Sequence, residues 1–373
     1  ILLQAFQRRA SDIHIEPCAA GIRIRLRIDG VLQLLQTLGA NQQAALIARL
    51  KILGNLDIAE RRLPQDGQFT LQLQGKEAAF RLSTLPVRAG EKAVVRLLHS
   101  ESQQLALDKL GMPPAALTQF RRALAQPQGL ILVTGPTGSG KTFTLYSGLS
   151  ALNQPGSNVC SVEDPVEIPL PGVNQTQINP RAGLDFQRVL RALLRQDPDV
   201  IMLGEIRDAE SAEIAVKAAQ TGHLVLSTLH TNSTTETLAR LRQMGIPGYL
   251  LASALRLVIA QRLVRRLCPH CRAPEEKVQA PPTQNWSGAL QTWRAVGCDH
   301  CFSGYYGRLA LFEILPVNGE MQTAIAENAR SEALSLLAQR QRFTSLFVEG
   351  LNAVNQGETS LAEVYRVIGE SHG

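Results

Sequence analysis

A chain of 373 residues exceeds the size at which one hydrophobic core keeps growing, so two or three domains are expected. Its 45% hydrophobic content is ordinary for globular domains, and no apolar run reaches the roughly 20 residues that span a bilayer; even Leu250 to Ala260 is interrupted by Ser253 and Arg256. A formal net charge of +6 permits contact with nucleic acid or anionic lipid without requiring either, and the 5% aromatic content supplies few stacking platforms for single strands.

Ile1 to Ala10 reads as a helix already under way, as expected of the later part of a longer chain. Ile22, Ile24, Leu26 and Ile28 then alternate with Arg23, Arg25 and Arg27 before Asp29-Gly30, the pattern of a half-buried strand entering a hairpin. Leu46, Leu50 and Leu53 follow at helical spacing. A second alternating pair, Phe69 to Leu73 and Ala79 to Leu82, flanks Gly75-Lys76, and a strand at Ala93 to Leu98 closes a small α+β domain over residues 1–100. The polar stretch Ser100 to Gln104 and the Gly111-Met-Pro-Pro114 punctuation mark a linker over 101–114.

Residues 115–373 read as strands alternating with helices. The strands are expected at Leu130 to Thr134, Asn158 to Val162, Val200 to Leu203 and Leu224 to Thr228. This order predicts an α/β fold with a mostly parallel sheet covered on both faces, whose crevice lies at the strands' carboxyl ends.

The first of these strands runs into GPTGSGKT, Gly135 to Thr142, and then into the helix-like Phe143 to Leu152. Gly135, Gly138 and Gly140 allow a tight turn with backbone N–H groups aimed at a phosphate, flanked by Pro136, Thr137 and Ser139, at the N-terminus of a helix. Lys141 would reach the β- and γ-phosphates of a nucleoside triphosphate, and Thr142 a Mg²⁺ ion.

Glu163, in Val162-Glu-Asp-Pro-Val-Glu167, and Glu205, which ends Asp199-Val-Ile-Met-Leu-Gly-Glu205, are carboxylates that could hold the metal or activate water. Spacing leaves open which of them takes the proton. His223 and His230 bracket the next strand, and only His230 falls at the crevice edge, where it could sense the γ-phosphate or orient a carboxylate. The role of His223 stays open.

Cys268-Pro-His-Cys271 and Cys298-Asp-His-Cys301 are two Cys-X2-Cys knuckles separated by 26 residues. Four thiolates complete a closed tetrahedral zinc site, which is structural because no position is left open. His270 and His300 are spare ligand types. Such thiolates need a reducing compartment, and the six cysteines do not form a disulfide framework in a chain this long. Cys18 is expected as a surface thiol and Cys160 as a core residue. Beyond the insertion, Arg308 to Leu315 reads as a strand, and Ser360 and Glu363 have the spacing of a capping box for the last helix.

Taken in order, Ala10-Ser-Asp-Ile-His-Ile-Glu-Pro17, Arg25-Leu-Arg-Ile-Asp-Gly30, Arg62-Leu-Pro-Gln-Asp-Gly67, GPTGSGKT, Glu163 to Glu167, Gly204-Glu-Ile-Arg-Asp208 and the box from His223 to Asn232 resemble the secretion ATPase superfamily. The likeness is to the motors of type II secretion and type IV pilus assembly. It implies a PAS-like domain joined to a RecA-like ATPase domain, assembled as a homo-hexamer. Glu205 is then the base or Mg²⁺ organiser, with Glu163 and His230 assisting. Arg25, Arg27, Arg62, Arg81, Arg207 and Arg262 become candidates for phosphate clamping.

The tetracysteine insert resembles that of secretion and pilus-extension motors. The implied function is ATP hydrolysis driving assembly of pilins or pseudopilins through an inner-membrane platform protein, at the cytoplasmic face of the membrane, with no nucleic acid partner. The alternative is a nucleic-acid-dependent translocase, against which the acidic and histidine boxes argue. A zinc-bearing scaffold that only binds nucleotide is disfavoured by the joint presence of Lys141, Thr142, Glu163 and Glu205.

Overall fold

The computed structural model describes residues 1–98, 105–279, 286–341 and 343–369, and divides into two compact units, Ile1–Gln103 and Gln104–Gly373. The boundary expected at Ser100 to Gln104 lies outside the described residues apart from its assignment to these units.

The smaller unit carries helix α1 (Leu2–Gln7), strands β1 (Asp12–Cys18), β2 (Gly21–Ile28) and β3 (Val31–Leu38), helix α2 (Gln43–Leu53), and strands β4 (Gln65–Leu73), β5 (Lys76–Val87) and β6 (Gly90–Leu98). They form an antiparallel sheet in the order β3-β2-β1-β6-β5-β4. One face is apolar because strand side chains alternate: Ile13, Ile15, Ile22, Ile24, Leu26, Phe80 and Leu82 are almost fully buried. Phe69 and Phe80, directly opposite across β4 and β5, stack at 5.0 Å between ring centroids. The arginines of β2 occupy the other face.

The larger unit is built on strands β7 (Gly129–Thr134), β8 (Val159–Glu163), β9 (Asn174–Gln177), β10 (Val200–Leu203), β11 (Leu224–Leu229) and β12 (Leu255–Leu267), two short ribbons pairing β13 (Ala273–Pro274) with β16 (Trp293–Arg294) and β14 (Val278–Gln279) with β15 (Ala289–Leu290), and the long β17 (Tyr305–Pro316). The main sheet runs β17-β12-β7-β11-β10-β8-β9, and every pair except β12/β17 is parallel.

Its helices are α3 (Pro114–Leu124), α4 (Lys141–Leu152), α5 (Phe186–Leu193), α6 (Ala209–Gln220), α7 (Thr234–Gln243), α8 (Gly248–Ala254), α9 (Gly319–Ala326), α10 (Ser331–Arg340), α11 (Leu346–Asn355) and α12 (Leu361–Ile368). Side-chain oxygens of Asp185, Asp208, Ser233, Asn318, Ser345 and Ser360 each accept from a backbone N–H in the first turn of the helix that follows. These are the short polar residues that satisfy otherwise orphaned donors.

Two cores lie on the two faces of the sheet. Leu130 and Leu132 of β7 enter one, Ile131 and Val133 the other, as a doubly covered parallel strand requires. Leu107, Leu110 and Met112 join the second core, so part of the stretch expected as a linker packs into this unit. β12 was not anticipated as a strand. It is buried nearly throughout and therefore shows no alternation in sequence.

Candidate functional site

Because β7, β8, β10 and β11 run parallel, their carboxyl ends fall on one edge, and Gly135 to Thr142, Glu163, Glu205 and His230 all arise there. The strand β7 hands the chain to the glycine-rich loop, and α4 begins at Lys141 directly after Gly140, which adopts a left-handed φ of +87°. Gly135 is required by crowding as well. A Cβ there would lie 2.5 Å from both the Gln261 carbonyl oxygen and Ser139 Oγ. The loop is thus pressed against β12, where Gln261 accepts from Thr144 Oγ1 at 2.6 Å.

Lys141 is 9% exposed, and its Nζ donates to the carbonyls of Gly135 and Pro136 at 2.8 and 3.0 Å. Burial lowers its ammonium to about 8, with Glu205 pulling it up and Arg262 pushing it further down. Ser139 Oγ is buried with no hydrogen-bond partner among the described residues. Pro136, Thr137 and Gly138 are exposed, as is Thr142 on the first turn of α4. A cation held at the loop, an unsatisfied hydroxyl and a helix N-terminus fit an anionic phosphate.

Glu205 receives the Arg207 guanidinium and lies 3.2 Å from His230 Nε2; Arg207 also reaches Asp164 at 3.5 Å. Burial opposes the charge on Glu205, but Arg207 and His230 outweigh it and hold the carboxyl below its usual range. Glu205 and His230 stay partly open to solvent, at 27% and 50% of their side-chain surface.

Glu163 differs. It is the last residue of β8 and is 3% exposed, and its carboxylate accepts from Tyr146 Oη, from Ser161 Oγ at 2.7 Å and from Gln175 Nε2 at 3.1 Å. His223 sits at the opposite edge of the sheet, its Nδ1 3.0 Å from the Ala218 carbonyl at the end of α6.

The turn after β11 is fixed from below. Thr134 Oγ1 accepts from the Thr231 amide at 2.9 Å, and Arg262 Nη2 donates to the Asn232 carbonyl at 2.9 Å. Arg262 is 6% exposed and also donates to the Gln261 carbonyl at 3.0 Å, so this candidate clamp is already engaged with backbone.

In the smaller unit, Arg25 forms a two-point bridge to Glu16 at 2.8 and 3.0 Å, Arg27 lies 3.9 Å from Asp12, and Arg62 pairs with Glu60 at 2.9 Å. Each of these three is committed to a carboxylate of its own unit, whereas Arg81 is exposed on β5.

The four knuckle cysteines converge. Their sulfurs all lie within 4.8 Å of one another, with Cys268–Cys298 at 3.9 Å and both Cys271–Cys301 and Cys298–Cys301 at 3.7 Å. A tetrahedral metal with bonds of about 2.3 Å sets its sulfurs about 3.8 Å apart, so the cluster fits zinc. The amides of Gly297 and Cys298 point at Cys271 and Cys301 sulfurs, as they do around charged thiolates. His270 and His300 are exposed, their rings tilted against each other with centroids 4.8 Å apart, outside the cluster.

This insertion is stitched to the C-terminal helices. Leu290 packs with Phe347, Leu351, Val354 and Val364; Arg272 donates to the Gly357 carbonyl and covers the Trp293 ring at 5.1 Å. Cys160 is buried as expected, while Cys18 is only half-exposed.

Three residues near the site escaped the sequence reading: Tyr146, Gln261 and Glu313. For Glu313 a signal existed, since a single acid interrupts the apolar run Leu309 to Leu315, and a buried carboxylate must be satisfied.

A glycine-rich loop between a buried strand and a helix N-terminus, at the carboxyl edge of a parallel sheet and facing an acid–histidine pair, defines a P-loop nucleotide-binding protein. The family model described as "Type II/IV secretion system protein" matches residues 1–366, and the chain belongs to that family. It is 60% identical over 372 residues to the protein transport protein HofB homolog of Escherichia coli K12, covering 100% of this chain and 81% of that protein. It is 47% identical over 382 residues to the type IV pilus assembly ATPase PilB of Pseudomonas aeruginosa, covering 98% of this chain and 66% of PilB. Among solved structures, that of the pilus retraction motor PilT with bound ADP matches with a TM-score of 0.64 and 27% identity, over 98% of this chain and 95% of PilT.

Proposed function

We propose that the chain is the ATP-hydrolysing part of a hexameric motor that drives pilin or pseudopilin assembly, in type IV pilus biogenesis or type II secretion. The observation that carries this reading is the convergence on one sheet edge of Lys141, the solvent-accessible Glu205–His230 pair and Arg207. Family membership supports it.

In this reading the larger unit is RecA-like and the smaller PAS-like. Gly135 to Thr142 hold ATP, with Thr142 as a ligand for Mg²⁺. Glu205, ionised and reachable by water, polarises the attacking water or organises the metal, and His230 orients it. Glu163, buried with three donors, assists from the second carboxylate position. Of the candidate arginines, Arg207 is assigned to phosphate; Arg262 is taken up by backbone carbonyls and Arg25, Arg27 and Arg62 by carboxylates of their own unit, which leaves Arg81 as the smaller unit's candidate. The four cysteines hold a structural zinc. The partner is an inner-membrane platform protein at the cytoplasmic face; no helix among the described residues is long and apolar enough to cross a membrane.

Phosphate release is the test. Lys141→Ala is expected to abolish turnover with the fold retained, and Glu205→Gln to bind ATP while hydrolysing it at least 100-fold more slowly. Wild-type rates in Lys141→Ala would sink the site assignment. Stimulation of turnover by duplex or single-stranded DNA, steeply weakened by salt, would favour a translocase instead.

A further inference from the structure

Glu313 lies on β17, 5% exposed, in the otherwise apolar stretch Leu309 to Leu315. Its partner across the pair is Ala260 of β12, whose partner in turn is Thr134 of β7. Glu313 and Thr134 therefore stand in one row of the sheet and project from the same face. That face supports the turn from His230 to Ser233.

Thr134 takes the Thr231 amide, Arg262 takes the Asn232 carbonyl, and Glu313 Oε1 accepts from both the amide and the hydroxyl of Thr234 at 2.8 Å. The sheet thus clamps the turn at three successive points, besides the bond from the Asn232 amide to Glu236 of α7. Of the three clamps, Glu313 reaches a further element: its Oε2 accepts from the amide of Leu346, the first residue of α11, at 3.1 Å. The far end of α11 packs against the cysteine insertion through Leu351, Val354 and Asn355.

We infer that Glu313 is a positioning residue: by capping α7 and α11 with the two oxygens of one carboxylate, it holds the turn that presents His230 to Glu205 and makes that placement depend on where α11 sits. With one oxygen at each helix start the carboxylate serves both; burial pushes its pKa up, and the Thr234 and Leu346 donors and Arg262 act against that. An amide satisfies one and sets an NH₂ against the N–H of the other. Displacement of a positioned group by about 1 Å costs up to about 100-fold in rate, so loss of one clamp out of three is expected to be felt in turnover rather than in nucleotide affinity.

The inference rests on the proposed hydrolysis only in its kinetic arm. Glu313→Gln in the full 373-residue chain is expected to lower kcat about tenfold with KM for ATP within about twofold of wild type. In the wild-type chain, ADP should slow amide exchange in both Thr234–Thr237 and Leu346–Glu349; in the variant only one segment should respond. A purely structural cap would lower the melting temperature and leave both responses intact, and that result, or a wild-type kcat, overturns the inference.

If Glu313→Gln does not fold, Thr234→Val removes one of the Oε1 donors with little change of shape. It is expected to cost about threefold in kcat at constant KM, and wild-type turnover there overturns the inference equally. A wild-type chain that binds ADP yet releases no phosphate would defeat the hydrolysis reading and leave the exchange measurement to judge Glu313.

Discussion

The Tyr146 hydroxyl donates to the Glu163 carboxylate from within the same helix whose first residues are Lys141 and Thr142. Tyr146 is fully buried one turn beyond Thr142, and its oxygen also accepts from the Glu167 amide at 3.2 Å. The phosphate loop's helix and the acidic segment after β8 are therefore one body, and the position of Glu163 is set by α4 as much as by its own strand.

Tyr146→Phe tests this with minimal change of shape. Glu163 keeps Ser161 and Gln175 and loses its third donor, a bond to a charged group worth about 1.5–3 kcal/mol. Urea unfolding should show a loss of that order, and turnover should fall about tenfold with ATP affinity unchanged. An unaltered rate would separate the geometry of Glu163 from hydrolysis.

Lys141 makes nucleotide binding pH-dependent. With burial lowering its ammonium to about 8, the free protein loses that charge as pH rises past about 8. A phosphate oxygen binds the protonated form and raises its pKa, so binding takes up a proton there. The sign follows: ADP affinity should be level below pH 8 and weaken above it, by up to about tenfold per pH unit. Calorimetry in buffers of different ionisation enthalpy measures the proton uptake, and an affinity constant from pH 7 to 9.5 would contradict the assignment. Lys141→Ala should remove the dependence.

Glu363 supplies acid-sensitive stability. Burial opposes its charge, but the Arg366 and Arg265 guanidinia outweigh that and hold its carboxyl down to about 2. A depressed carboxylate stabilises the fold above its unfolded value near 4.5, and that contribution disappears as pH falls from there toward 2. The shift corresponds to about 3 kcal/mol, reduced to about 2 because the Arg366 side chain is 46% exposed. Glu363→Gln should thus lower stability by about 2 kcal/mol at pH 7 and by little at pH 2.5, read from urea midpoints. An equal loss at both pH values would exclude the ion pairs as its origin.

The cysteine cluster predicts one zinc per chain. Replacing Cys268 and Cys301 together by serine should remove it, as read by elemental analysis of the purified protein, while the wild-type chain retains it through dialysis. Metal content unaffected by the double replacement would rule out the four-thiolate site.

Much of this site was legible in the sequence because its signals are local. GPTGSGKT follows an apolar run and precedes a helix, and parallel strands bring their carboxyl ends together without further information. What escaped was relational. Glu163 falls inside β8 rather than after it, which turns an expected edge carboxylate into a buried one. The arginines of β2 read as available cations, but their partners Glu16 and Asp12 lie on the neighbouring strand and are set by register. Asp12 is further claimed by Arg96, which is 84 residues away. Glu363 sits at the predicted capping position, and Ser360 Oγ does accept its amide at 3.2 Å; its carboxylate, however, turns to Arg265 and Arg366. A local motif fixes where such a group begins and not where its charge is satisfied.

The stitching of the cysteine insertion bears on how this chain can be altered. Cys268 follows directly on β12, about 20 Å along the strand from the Gln261–Arg262 pair that borders the phosphate loop. Leu267 donates its amide to the Glu358 carbonyl at 2.8 Å, and Thr359 Oγ1 donates back to the Arg265 carbonyl at 2.8 Å. The insertion is consequently no detachable appendage. A version of the chain shortened across Cys268 to Cys301 would have to furnish a new apolar cover for α11 and α12 and a new stop for β12, and grafting the knuckles onto another scaffold would require bringing the last two helices with them.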